Sequence, residues 1–192
     1  MSEKNVSENK AKSKINVKTS TQMLATFAIL IAAQFVISQF LTFHVWNLKI
    51  GLSFIPVVIA ARLYGAVGGA LVAGIGDIVG IIFHPVGPWF PPITISAMLV
   101  GVVFGLFLKK SDSFWRILVS VLISEFVFSL FITPIWITIL YRGEAEFFAY
   151  YFSLVATRLG VQIIPMTIVK LLVITPMLKA MDKINFFKTT TA

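Results

Sequence analysis

The sequence predicts an all-α fold: an integral membrane bundle of six transmembrane helices with both termini in the cytoplasm. Three observations predict it. Of the 192 residues, 58% are hydrophobic and 12% charged, with a mean hydropathy of +0.93, whereas a typical soluble domain carries about 25% charged residues. The apolar residues fall in continuous runs, not in the alternating pattern of a membrane β-barrel. The cations gather at chain ends and turns, where a membrane orientation signal puts them.

Residues 1–20 form a Lys-rich cytoplasmic tail, expected to be mobile, with Lys4, Lys10, Lys12, Lys14 and Lys18. The apolar run that follows exceeds the roughly 7–15 residues of a signal-peptide core, so Met23–Leu41 is span 1. Thr42–Lys49 is a short polar loop. Ile50–Phe83 is too long for one span of roughly 20 residues, and its charges are Arg62 and Asp77. The glycines of "RLYGAVGG" mark a turn there, giving span 2 at Gly51–Leu63 and span 3 at Ala66–Phe83. "FHPVGPWFPPITIS" (Phe83–Ser96) is a stiff loop of prolines and aromatics. Span 4, Ile93–Leu108, stops at Lys109 and Lys110. Span 5 is Trp115–Leu140, kinked by Pro134, whose ring and missing N–H break the helical ladder. After the charged loop Arg142–Glu146, span 6 runs from Ser153 to Leu178 and contains Pro165 and Pro176. The membrane domain is thus 21–181, and 182–192 is a second cytoplasmic tail.

Six spans put both termini on one side. Arg62, Lys109, Lys110, Arg116, Lys179, Lys183 and Lys188 join the N-terminal lysines on that side, against Lys49, Arg142 and Arg158 on the other. The positive-inside rule makes the first side cytoplasmic. The net charge of +8 is therefore an orientation signal, and nucleic acid is not an expected partner. With no cysteine, disulfide and thiolate chemistry are excluded. The chain carries no phosphate-cradling Gly/Lys loop, no HExxH and no GxSxG. Neither an enzyme nor a cofactor or metal site is expected.

Candidate binding residues cluster on the external side. Span 4 is short, so the Pro/aromatic loop dips to membrane depth, where irregular backbone is tolerated if it lines a cavity. Trp89 and Phe90 offer flat faces there, and Thr94 and Ser96 offer hydroxyls. The Thr42–Lys49 loop supplies Phe43, Trp46, Asn47 and Lys49. Trp136 adds another ring. Interface anchoring by an aromatic belt is the plainer reading of these rings. Arg158 and Gln162 share a helix face, and a guanidinium fork suits a carboxylate; snorkelling to headgroups competes with that. Asp77, Glu125 and Lys170 lie inside spans, where each needs a partner. Glu125 with Lys170 reads as a structural ion pair, and Asp77 as an acceptor for an amino-pyrimidine-like group or a backbone brace. Ala25, Ala28 and Ala32 make a smooth stripe on span 1. Gly65, Gly68 and Gly69, and Gly101 with Gly105, do the same on spans 3 and 4, where small residues let helices approach closely.

The size, the six spans, the alanine stripe and the block "LSFIPVVIAARLYGAVGGALVAGIGDIVG", followed by "GPWFPPITISAMLVGVVFGLFL", resemble the substrate-binding (S) components of energy-coupling factor (ECF) vitamin transporters. Within that family the chain looks most like the folate-specific members. The resemblance implies a multi-pass protein of the bacterial plasma membrane that binds folate with high affinity from outside. It implies docking of the alanine stripe on a transmembrane coupling subunit, with ATP hydrolysed by two separate ATPases. Aromatics such as Phe43, Trp46, Trp89 and Trp136 would sandwich the vitamin's rings. Arg158 and Lys49 would meet its carboxylates, and Asn47, Gln162, Thr94 or Ser96 its pterin edge. The alternatives are another vitamin, such as pantothenate or a pyrimidine, on the same architecture, and a stand-alone proton-coupled carrier using Asp77 or Glu125.

Overall fold

The computed structural model describes residues 3–45, 48–83, 88–109 and 113–183. Its helices are α1 (Glu3–Phe40), α2 (Phe54–Phe83), α3 (Pro91–Leu108), α4 (Phe114–Leu122), α5 (Thr133–Tyr141), α6 (Phe147–Arg158) and α7 (Ile164–Lys183). Wide π-helical stretches join α4 to α5 (Ile123–Ile132) and α6 to α7 (Leu159–Ile163). Among the described residues, five helical stretches are long and apolar enough to cross a bilayer: Thr21–Phe40, Phe54–Phe83 (interrupted at Gly65), Pro91–Leu108, Phe114–Tyr141 and Phe147–Met181. The Lys-rich segment before Thr21 continues α1 as helix.

The turn expected at "RLYGAVGG" falls on Gly65, which leaves helical geometry at φ 74°, ψ −154°. Only glycine adopts that backbone without strain. Val57 and Ala73, equally far from Gly65 in sequence, line the same cavity, so the chain doubles back there. A Cβ on Gly65 would also strike the Lys109 side chain. Beside this fold, Arg62 donates to the Leu108 carbonyl at 2.6 Å, occupying an acceptor left over at the end of α3.

The glycines beyond the turn are used between helices. A Cβ on Gly69 would overlap the Gly101 carbonyl, one on Gly101 the Gly69 carbonyl, and one on Gly105 the backbone of Ala66. In lipid, helices gain no hydrophobic driving force from meeting each other, so close backbone contact of this kind supplies the packing.

One correction concerns the segment read as a polar loop. It forms an antiparallel hairpin, β1 (Thr42–Val45) with β2 (Leu48–Gly51), in the register Thr42↔Gly51 to Val45↔Leu48. Pairing the strands satisfies backbone groups at the bundle's rim, as buried or interfacial backbone requires. Leu52 N–H closes the hairpin's base on the Leu41 carbonyl.

The bundle divides along its length. The apolar core, including Val58, Ala61, Phe104, Leu108, Ile117, Val121, Ile174 and Leu178, fills the end that carries Gly65 and Lys109. The other end, where the hairpin and the α5–α6 turn lie, is hollow.

A polar cavity between the helices

Every long helical stretch sends residues into one cavity of about 460 Å³, within the range of roughly 300–1,000 Å³ typical of small-molecule sites. Gly51, Pro88, Leu140 and Tyr141 stand at its hairpin end, and Phe104, Glu125 and Lys170 at its inner end. From Ile93 to Phe104 along α3 is roughly 16 Å at about 1.5 Å per residue.

The two π-helical stretches shape one wall. In the wider register, Thr133 N–H reaches back to the Phe128 carbonyl. The next residue is Pro134, which has no N–H to offer the Ser129 carbonyl. Arg158 takes that acceptor instead, its Nη1 donating at 2.9 Å. Gln162 Nε2 donates to the Ser129 hydroxyl at 3.1 Å. Arg158 and Gln162 are both buried, 4% and 5% exposed, and both line the cavity. The arginine thus points into the bundle instead of reaching for headgroups. Pro165 follows the second π-helical stretch as Pro134 follows the first; π segments are frequent at functional sites.

One tier deeper, Lys170 Nζ meets Glu125 Oε1 at 2.5 Å, which is the ion pair expected from the sequence. The ammonium also lies 5.6 Å from the ring centre of Phe54 and 5.7 Å from that of Phe104, within cation–π range. On the facing wall, Asp77 lines the cavity and its Oδ2 accepts from Thr94 Oγ1 at 2.7 Å. Trp89 Nε1 donates to the same Thr94 oxygen at 3.3 Å. Ser96 lines the cavity, accepts from Trp136 Nε1 at 3.0 Å and donates to the Pro92 carbonyl at 2.9 Å.

The structure therefore brings Asp77, Ser96, Arg158 and Gln162 together. Thr94, Trp89 and Trp136 stand behind that lining as hydrogen-bond partners, and Phe90 packs on Trp136 with ring centres 6.2 Å apart. Phe43 lies on β1 and Lys49 on β2. Trp46 and Asn47 fall outside the described residues. Ala25, Ala28 and Ala32 are exposed on the outer face of α1. Lining residues not anticipated include Gln34, Ser38 and Gln39 on α1, Ser53 beside the hairpin, and Ser124 and Ser129 on the first π stretch. Among their signals, only the polar cluster Gln34–Ser38–Gln39 in an otherwise apolar span was available in the sequence.

A multi-pass helical bundle with a small-molecule cavity at one end defines the class: a membrane protein able to hold a solute. The description "ECF transporter, substrate-specific component" matches residues 22–178, and the chain belongs to that family. The folate transporter FolT of Clostridium novyi is 32% identical over 119 residues, 62% of this chain and 69% of that protein. FolT of Leuconostoc mesenteroides is 27% identical over 137 residues, 70% of this chain and 74% of that protein. The fold also matches a crystal structure of FolT bound with folic acid, with a TM-score of 0.74 at 24% identity, covering 83% of this chain and 96% of that one.

Proposed function

We propose that this protein is the high-affinity folate-binding subunit of an ATP-driven importer in a bacterial plasma membrane. It takes folate from outside and works with a transmembrane coupling subunit and two ATPases. The carrying observation is the cavity holding Asp77, Ser96, Arg158 and Gln162 at the bundle end opposite the one with Arg62, Lys109, Arg116, Lys179 and Lys183. Counting the fold-back at Gly65 as a reversal gives six spans, with both termini on the cation-rich side. The positive-inside rule makes that side cytoplasmic and the cavity external. The folate-transporting relatives support the choice of ligand.

In this reading the guanidinium of Arg158 and the amide of Gln162 serve acceptor atoms of the vitamin, and Asp77 and Ser96 complete the polar lining. Phe43, Trp46, Asn47, Lys49, Trp89 and Phe90 are further candidate contacts for the vitamin. The exposed face of Ala25, Ala28 and Ala32 docks on the coupling subunit, since small side chains permit close helix approach.

Calorimetric titration of the detergent-solubilised protein with folate tests the proposal. Saturable binding at or below about micromolar, with pantothenate and simple pyrimidines failing to compete, is the expected result. No saturable binding, or displacement by one of those competitors at lower concentration than folate, refutes it.

A further inference from the structure

A groove on the outside of the bundle is separate from the central cavity. It lies between α4 and α7, has a volume of about 440 Å³, and is lined by Phe114, Ile168, Leu171, Leu172, Thr175 and Pro176. Along α7, Ile168 to Pro176 spans roughly 12 Å at about 1.5 Å per residue. That is most of one leaflet of a hydrocarbon core roughly 30 Å thick, and too short to seat a second spanning helix. The walls also differ from those of a helix-docking face. Close helix approach uses small residues, whereas this hollow is walled by a phenylalanine, an isoleucine and two leucines. A flexible acyl chain fits between such side chains.

The chemistry along α7 is ordered. Ile168, Leu172, Thr175, Lys179 and Lys183 follow the three- and four-residue spacing of one helix face. Ile168 and Leu172 are exposed and apolar. One turn on, the Thr175 hydroxyl has no hydrogen-bond partner among the described residues. Lys179 and Lys183, one and two turns further, are exposed cations, with the single acid Asp182 between them in sequence. On the facing wall α4 begins at Phe114, and the start of a helix favours negative charge. Apolar wall, hydroxyl and cations, in that order, match the chain, ester and phosphate of a phospholipid taken from the bilayer centre outwards.

We infer that this groove holds an anionic phospholipid of the cytoplasmic leaflet. Its acyl chain lies between Phe114 and Leu172, an ester carbonyl accepts from Thr175, and its phosphate is served by Lys179 and Lys183. The leaflet follows from the orientation proposed above; the identity of the vitamin plays no part. A zwitterionic lipid brings its own ammonium group beside the two lysines, so a lipid of net negative charge is preferred. The alanine face belongs to α1, which packs on α2, while α4 packs on α3 and α7. The lipid and the coupling subunit therefore meet different helices.

Trp115 reports on the groove, because its ring centre lies 6.4 Å from that of Phe114. Protein carrying Trp46→Phe, Trp89→Phe and Trp136→Phe keeps Trp115 as its single tryptophan. It is reconstituted in vesicles of phosphatidylglycerol and phosphatidylcholine, one of the two brominated on its acyl chains, and quenching of Trp115 gives the affinity of one lipid relative to the other. Phosphatidylglycerol should be preferred by about 5- to 30-fold, the factor that one or two lysines at an anionic surface supply. Lys179→Gln/Lys183→Gln should bring the preference below about threefold. Lys10→Gln/Lys14→Gln, which removes the same charge from the N-terminal segment, should leave it unchanged. If the three tryptophan replacements prevent folding, native mass spectrometry of the lysine variants with every tryptophan in place makes the same comparison. Equal occupancy by the two lipids, occupancy by neither (as when a partner helix or a second copy fills the groove), or equal loss of preference in both lysine variants overturns the inference.

Discussion

Replacing Lys170 by methionine removes the cation paired with Glu125. The pair is 2.5 Å apart, with side chains 10% and 3% exposed. At an effective dielectric of about 20, two unit charges at that distance attract by roughly 6–7 kcal/mol. Desolvation offsets much of this, and breaking a buried pair from one side costs about 3–5 kcal/mol. Lys170→Met should fall towards the lower end of that range, because the Arg158 guanidinium also acts electrostatically on Glu125. Glu125→Gln should cost less, about 1–3 kcal/mol. The ammonium it leaves behind keeps the faces of Phe54 and Phe104, each contact contributing about 0.5–2 kcal/mol. The Glu125→Gln/Lys170→Met double variant should return to within about 1–2 kcal/mol of wild type, since uncharged replacements of similar volume remove both desolvation penalties. Unfolding of the ligand-free protein in detergent micelles by denaturant, followed by tryptophan emission, measures the three values. The reasoning fails if Glu125→Gln is the more damaging single change, or if the double variant is as unstable as the two singles added together.

Gly101→Leu should destabilise the fold by about 2 kcal/mol or more, as overpacking does, because its side chain would enter the Gly69 backbone; the same unfolding assay reads it. Thr94→Val should weaken folate binding about 5- to 10-fold and alter Trp89 emission, since Thr94 links Trp89 to Asp77; titration followed by fluorescence reports both. Ala28→Leu together with Ala32→Leu should leave folate binding unchanged and abolish uptake by cells carrying the whole importer, because both residues face outward on α1. Loss of binding in the purified variant would show that they pack inside the protein.

The helices were legible because lipid demands long uninterrupted apolar runs, and Gly65 was legible as a turn because glycine and a nearby cation interrupt one. The buried charges Glu125 and Lys170 could be paired from the sequence because neither is tolerated alone in a span. Direction was harder. Trp89 and Trp136 were expected to offer ring faces to the ligand; the structure adds that their N–H groups bond to the hydroxyls of Thr94 and Ser96 and that Phe90 packs on Trp136. Residue type states what a ring is able to do, not which way it points. The hairpin was missed because four-residue strands are too short for alternation to stand out. The π-helical stretches have no residue signature of their own. Pro134 and Pro165 were the available clue, and reading Pro134 as a kink overlooked the carbonyl that its missing N–H leaves for Arg158 to occupy.

α1 is the least embedded of the long helices, with 6% of its apolar window buried. Its outward side is the alanine face, and its inward side carries Gln34, Ser38 and Gln39 into the cavity wall. A regular helix transmits displacement along its length with little loss, so the two sides cannot move independently. Whatever meets the smooth side therefore bears on the same helix that walls the chamber. The Leu52 N–H bond to the Leu41 carbonyl ties the end of α1 to the base of the hairpin.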